Sequence, residues 1–346
     1  MLSRRFRGNL YSRVVIFGLV LVTTLAGTTA CQKKPSQVVV YTSVDQIYSE
    51  PILDRFEEET GIKALAVYDV EAAKTTGLVN RLIAEKEQPQ ADVFWNGEFA
   101  QTLLLKERGI LAPYTPEAAQ DIPAVYRDPE GYWTGFAGRA RVIVVNTEKL
   151  ERDEYPDSIH DLTDSRWPGE QVGLAYPIFG TTATHAAALY AHWGPERAQE
   201  FFQEVRDADV RIVDGNSVVR DLVVKGELLW GLTDTDDACS AISRGEPVSL
   251  ILPDQDELGT LIVPNSVALV ADAPHPEAGK ELIDYLLSPE IDQALIDSGW
   301  SHISLHSQIF SGCQEETEVK GMEIGLQAVY EQIKQAQEEL REVFVR

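Results

Sequence analysis

The sequence predicts an α/β protein of two doubly wound domains joined by crossing strands, and three observations carry that expectation. A β-α-β-α-β alternation runs from Val38 to Trp95, and the same rhythm restarts at Gln171. Two apolar segments, Arg139–Thr147 and Gly259–Ala271, bracket the second unit almost symmetrically, which implies a first domain that the chain leaves and later re-enters. At 346 residues the chain is long enough for each domain to bury its own core.

Taken in order, residues 1–30 have the three parts of an export signal. Arg4, Arg5, Arg7 and Arg13 precede an apolar stretch from Val14 to Leu25, and small residues fill positions 26–30. The apolar stretch is too short to cross a bilayer as a helix. Cys31, directly after the small residues, resembles the acylated cysteine of bacterial lipoproteins; Thr28 departs from the leucine usual in that motif, and simple secretory cleavage is the alternative. Residues 31–37 read as a tether. The first domain is expected over 38–139 and again over 265–346, the second over 140–264.

Val38–Tyr41 is a β-branched run, and Ser43-Val-Asp-Gln46 has the form of a capping box that opens a helix ending near Gly61. Ile62–Tyr68 reads as a strand, Thr75–Lys86 as a helix and Ala91–Trp95 as a strand. In the second unit, Gln171–Tyr176 is a strand, Thr181–Trp193 a helix stopped by Gly194-Pro195, and Glu196–Asp207 another helix. Val210–Val213 follows as a strand, Ser217–Lys225 as a helix closed by Gly226, and Leu228–Thr233 as a strand leading into a helix that stops at Gly245. Pro276–Ser298 and Lys320–Val345 carry amphipathic helical patterns, and residues 306–318 are the least structured by composition.

The formal net charge is −25, and the arginines before residue 31 have no acid beside them, so the remainder is more acidic still. A polyanion without a basic, aromatic-interleaved stripe is a poor partner for nucleic acid, and none is expected. Cys239 and Cys313 are the two cysteines left after Cys31, and the sequence leaves them bridged or free.

Five segments in order, Tyr41-Thr-Ser-Val-Asp-Gln46, Phe56-Glu-Glu-Glu-Thr-Gly-Ile62, Ala91-Asp-Val-Phe-Trp-Asn96, Pro264-Asn-Ser-Val-Ala268 and Leu286-Leu-Ser-Pro-Glu290, closely resemble the periplasmic solute-binding proteins grouped with the ferric-ion-binding proteins. The resemblance covers about Val38 to Leu305. It implies a two-lobed, type II periplasmic-binding-protein fold, a ligand held in the cleft between lobes, and delivery to the permease of an ATP-binding-cassette importer. Lipid tethering on Cys31 fits this reading, because a captured solute is useful only near the transporter; a monomer is expected.

Three helix starts stand out as donors to an oxyanion: Ser43 after Thr42, Thr181 and Thr182 in Gly180-Thr-Thr-Ala-Thr184, and Asn216-Ser217 with Arg220 one turn on. Each is equally explained by the ordinary preference for hydroxyl and amide caps. Thr233-Asp-Thr-Asp-Asp237 concentrates Asp234, Asp236 and Asp237 at a strand-to-helix junction, more acids than a cap requires, and suits an ammonium group or a hard cation. In the resembled family a pair of tyrosines grips ferric iron at this place; here Asp236 and Asp237 stand there. The family's histidine ligand has Asp45 nearest to its position, and its glutamate is matched loosely by Glu98.

The ligand expected is therefore a small amine-bearing oxyanion of the aminophosphonate type, with Tyr41, Trp95, Phe179 and Asn96 nearby. The alternative is ferric iron with an anion, held by Asp45, Glu98, Asp236 and Asp237. His185, His302 and His306 read as structural. No catalytic elbow, Walker loop, dinucleotide fingerprint or His-Glu-x-x-His helix is present, so neither a cofactor nor turnover is expected; an exported hydrolase using the aspartates is the remote rival.

Overall fold

The computed structural model describes residues 36–68 and 76–345. The export signal and Cys31 lie outside the described residues, as does nearly all of the tether.

The valine-rich strand β1 (Gln37–Thr42) lies parallel between β2 (Lys63–Tyr68) and β3 (Val93–Asn96). Helix α1 (Gln46–Thr60) buries Ile52, Leu53 and Phe56 against this sheet and stops at Gly61, whose left-handed φ of 73° lets its amide donate back to the Glu57 carbonyl. Helix α2 (Thr76–Ala84) leads to β3, and α3 (Ala100–Glu107) and the short β4 (Leu111–Ala112) follow. The sequence reading contained neither α3 nor β4.

The crossing strand β5 (Thr134–Asn146) is longer than its apolar signature. Its first half pairs with a later strand of the first lobe, and from Arg141 onward it pairs inside the second lobe. That lobe holds β6 (Val172–Ala175), α4 (Gly180–Trp193), α5 (Pro195–Asp207), β7 (Arg211–Val213), α6 (Asn216–Val224), β8 (Trp230–Asp234), α7 (Thr235–Ser243) and β9 (Val248–Ile251). The chain returns through β10 (Ile262–Val270), buried along its whole length and antiparallel to β3, β4 and β5. Strand order is β2-β1-β3-β10-β5-β8-β6-β7. Each half is thus three parallel strands closed by an antiparallel crossing strand, the pattern that puts strand C-termini and helix starts at one edge.

The crossing is irregular at one point. Ala137 in β5 takes a φ of 40°, unusual for a residue with a Cβ, where the β5–β10 register shifts between Pro264 and Asn265. Its carbonyl accepts from the Asn265 amide and from Ser301 Oγ (3.0 Å).

Helices α8 (Pro276–Leu286) and α9 (Pro289–Asp297) follow, then a small hairpin of β11 (Ile309–Phe310) and β12 (Thr317–Glu318), and finally α10 (Leu326–Phe344). Two expectations are corrected here. The segment 306–318 is ordered by that hairpin and by a disulfide from Cys313 to Cys239 in α7. Helix α10, assigned from sequence to the first lobe, packs instead along α4 and α5 of the second, with Phe344 edge-on to Phe202 and Gln337 donating to the Ile178 carbonyl. An amphipathic stripe reports that a helix is docked but not onto which partner.

The bridge closes 74 residues of sequence separation, for which chain entropy gives roughly 4 kcal/mol. Replacing both cysteines by alanine is expected to lower unfolding stability by about 2–4 kcal/mol, read from the urea midpoint. An unchanged midpoint would show that the bridge constrains nothing in the unfolded chain.

Candidate functional site

At the C-terminal edge of β6, β7 and β8 the chain turns directly into α4, α6 and α7, so three helix N-termini converge. One guanidinium ties them together. Arg141, fully buried in β5, directs Nη1 to Asp234 Oδ1 (2.7 Å), Asn216 Oδ1 (3.0 Å) and Thr181 Oγ1 (3.3 Å). Thr181 donates to Asp234 Oδ2 (2.6 Å), Asn216 Nδ2 donates to both Asp234 Oδ2 (3.0 Å) and Thr181 Oγ1 (2.9 Å), and Thr182 donates to Asn216 Oδ1 (3.1 Å). Nε and Nη2 of Arg141 have no hydrogen-bond partner among the described residues. Burial, with Arg141 adding to it, pushes His185 down to about 3, so that imidazole is neutral and structural.

Carboxylate oxygens of Asp234, Asp236 and Asp237 lie within 4.8 Å of one another, the one such acidic group among the described residues. Each is matched by its own arginine: Asp234 by Arg141 (2.7 Å), Asp236 by Arg139 (3.3 Å) and Asp237 by Arg220 (2.9 Å). Within these six groups the charges balance, and Arg220 is shared with the half-exposed Asp221 (2.8 Å). Asp237 is nevertheless pushed up to about 6, chiefly by burial and then by Asp236, with Arg220 opposing. Arg139 also reaches across to the first lobe, where Nη2 donates to the Gly97 carbonyl (3.4 Å) and its guanidinium lies 5.7 Å from the Trp300 ring centroid. His302, beside Arg139 and Asp236, is driven down to about 4 by burial.

On the first lobe, Ser43 does not cap α1, contrary to the sequence reading; the N-cap is Asp45. Ser43 Oγ instead donates to Asn96 Oδ1 (2.5 Å) and accepts from the Gly97 amide (3.0 Å). A capping-box spacing shows compatible residue types, and here a long-range partner at the end of β3 takes the hydroxyl.

Glu98, one residue before the Phe99 N-cap of α3, has its carboxylate accepting from the amides of Ala100 (2.5 Å) and Gln101 (3.0 Å) and from Asn96 Nδ2 (3.0 Å). Asp236 and Asp237 are joined in the acidic group by Asp234; Asp45 and Glu98 are not among its members. Tyr41 and Trp95 are also corrected, since both are fully buried. Tyr41 donates to Glu85 (2.9 Å) under Arg81, and burial with Glu85 pushes its hydroxyl up to about 12. Trp95 packs on Phe136. Phe179, by contrast, stands exposed at the start of α4, and Ser217 is exposed at the start of α6.

The sequence reading passed over Arg139 and Arg141. Their signal was present: two arginines two residues apart in an otherwise apolar crossing segment must share one strand face, and a buried charge demands a partner.

With this geometry in hand, similarity to known proteins can be placed. A Synechocystis protein named Iron uptake protein A1 is 25% identical over 277 residues, 77% of this chain and 75% of its own length. A Salmonella paratyphi A periplasmic protein whose name assigns it provisionally to 2-aminoethylphosphonate binding is 26% identical over 295 residues, 82% of this chain and 83% of its own. A solved Trichodesmium structure in complex with iron and citrate ligands superimposes with a TM-score of 0.78 at 21% identity, covering 90% of this chain and 100% of that one. It shares the two-lobed periplasmic-binding-protein fold. The family described as bacterial extracellular solute-binding protein matches residues 88–308, and the chain belongs to it.

Proposed function

We propose that this chain is the capture component of an ATP-binding-cassette importer and that it binds, without turnover, a small amine-bearing oxyanion of the aminophosphonate kind in the cleft between its lobes. The observation that carries this reading is the charge-balanced array of Asp234, Asp236 and Asp237 with Arg139, Arg141 and Arg220 beside three helix N-termini. Such a ligand brings at most about one net negative charge to a balanced array, and it offers an anion to the amides and guanidinium groups and an ammonium to the carboxylates. A bare ferric ion would bring three positive charges to acids that already hold their counter-ions.

Ferric iron with a bound anion is the second reading. It is favoured by the three carboxylates within 4.8 Å and by the name of the Synechocystis relative. Retention near the permease, in this reading, comes from lipid on Cys31.

Titration calorimetry separates the two ligands. 2-Aminoethylphosphonate is expected to bind in the presence of a chelator, and Asp237→Asn to weaken it by about 1.5–3 kcal/mol through loss of a charged hydrogen bond. Heat that appears only with ferric ion and phosphate, and vanishes in chelator, would replace the organic ligand by iron.

Asp237 also predicts a pH signature. A carboxyl raised to about 6 is partly protonated near that pH, and an ammonium seated against it favours ionisation. Binding at pH 6 is therefore expected to release protons from Asp237 as well as from the phosphonate, seen as a heat that varies with buffer ionisation enthalpy, and Asp237→Asn is expected to reduce that release. A release unchanged in Asp237→Asn would place the ammonium elsewhere.

Cys31→Ser is expected to shift the protein from the membrane fraction to the soluble exported fraction. Undiminished membrane association would refute the lipid anchor.

A further inference from the structure

Arg139, on the crossing strand β5, touches both lobes. Nη1 donates to Asp236 Oδ2 (3.3 Å) in the first turn of α7, and Nη2 donates to the carbonyl of Gly97 (3.4 Å), the residue after β3. The other two arginines of the array stay within the second lobe: Arg141 meets Asp234, Asn216 and Thr181, and Arg220 meets Asp237 and Asp221.

The first-lobe half of this contact is built from fixed parts. The Gly97 amide donates to Ser43 Oγ (3.0 Å), which ties that loop to the end of β1. A Cβ on Gly97 would stand 2.9 Å from Trp300 Cζ2, so the indole lies where a side chain would be. Trp300 is pinned in turn, its Nε1 donating to Asn265 Oδ1 (2.7 Å) in β10 and its ring lying 5.2 Å from the ring of Tyr48 in α1. The Arg139 guanidinium, 5.7 Å from the indole centroid, is within reach of a cation–π attraction. On the other side, Thr235 Oγ1 accepts from the Ala140 amide (3.2 Å), so the start of α7 is fastened to β5 one residue beyond Arg139. Asp236 therefore keeps its place beside the guanidinium, and the contact that breaks when the lobes part is the one to Gly97 and Trp300.

We propose that Arg139 is a latch between the lobes. Steadied by Asp236, it clips onto the Gly97 carbonyl and the Trp300 ring and biases the ligand-free chain toward the closed arrangement. The latch rests on the two-lobed fold and not on which solute the cleft takes. With the Arg139 and Asp236 side chains 19% and 40% exposed, water screens the pair, and the bias amounts to about two- to fivefold in the ratio of closed to open chain. A latch of that size leaves the lobes free to open for exchange of solute.

Spin labels on Ile47→Cys and Phe179→Cys, both exposed and placed at the starts of α1 and α4 on opposite lobes, read the separation by double electron–electron resonance. In the exported chain carrying Cys31→Ser these are the free thiols, because Cys239 and Cys313 are bridged. Without ligand, Arg139→Gln is expected to raise the ratio of long to short distances about two- to fivefold. Trp300→Leu should lengthen them in the same direction, and Trp300→Phe, which keeps an aromatic face, by less. Arg220→Gln, whose contacts lie inside the second lobe, should leave the distribution as it is. Circular dichroism and the thermal midpoint check that each variant is folded, and Trp300→Leu decides the matter if Arg139→Gln is not. Distances unchanged or shortened in the folded variants at Arg139 and Trp300 would overturn the latch, as would an equal lengthening in Arg220→Gln.

Discussion

The buried ion pair between Arg141 and Asp234 is the interaction on which the edge where α4, α6 and α7 begin depends. A guanidinium with no exposed surface needs a close counter-charge, which Asp234 supplies, and Asp234, Thr181 and Asn216 together take up its Nη1. These three partners begin α7, α4 and α6. The crossing strand therefore sets where the helix starts stand relative to one another, and it does so before any solute arrives. Removing one partner of such a pair typically costs about 3–5 kcal/mol because the other is left buried and uncompensated.

The same strand carries that order to the other lobe. Arg139 lies two residues before Arg141, on the same face, and touches Asp236 on one side and the Gly97 carbonyl on the other. Just upstream, Ala137 is held in a left-handed conformation by Asn265 and Ser301, and Gly138 exchanges backbone hydrogen bonds with His302 and Ile303. A residue with a Cβ stays in that region only when its surroundings over-determine it. The point where β5 passes between lobes is thus a tightly specified joint.

Much of the fold was legible because parallel α/β units write themselves locally. Val38–Tyr41, Gly61 and Gly194-Pro195 announce strands and helix ends through side-chain shape and backbone freedom alone. The acidic cluster was legible too, as an excess over what a cap needs. What was not legible is pairing. Ser43 had two chemically adequate uses, and the choice rests on Asn96, 53 positions away. Aromatic strand ends such as Tyr41 and Trp95 look alike whether they face a ligand or a core. Most consequentially, the aspartates read in isolation are an anionic cluster, whereas Arg139, Arg141 and Arg220 each pair with one of them.

The Cys239–Cys313 bridge joins the helix that bears Asp236 and Asp237 to the hairpin packed beside His302. It makes the shape of that helix-start edge a record of where the polypeptide folded. Chain assembled outside the cytoplasm, where thiols oxidise, has this seam sewn covalently; chain overproduced in a reducing cytosol has the same seam held by packing alone. Two preparations of identical sequence are then different samples, and an affinity measured on one does not transfer to the other until the thiol count of each is known.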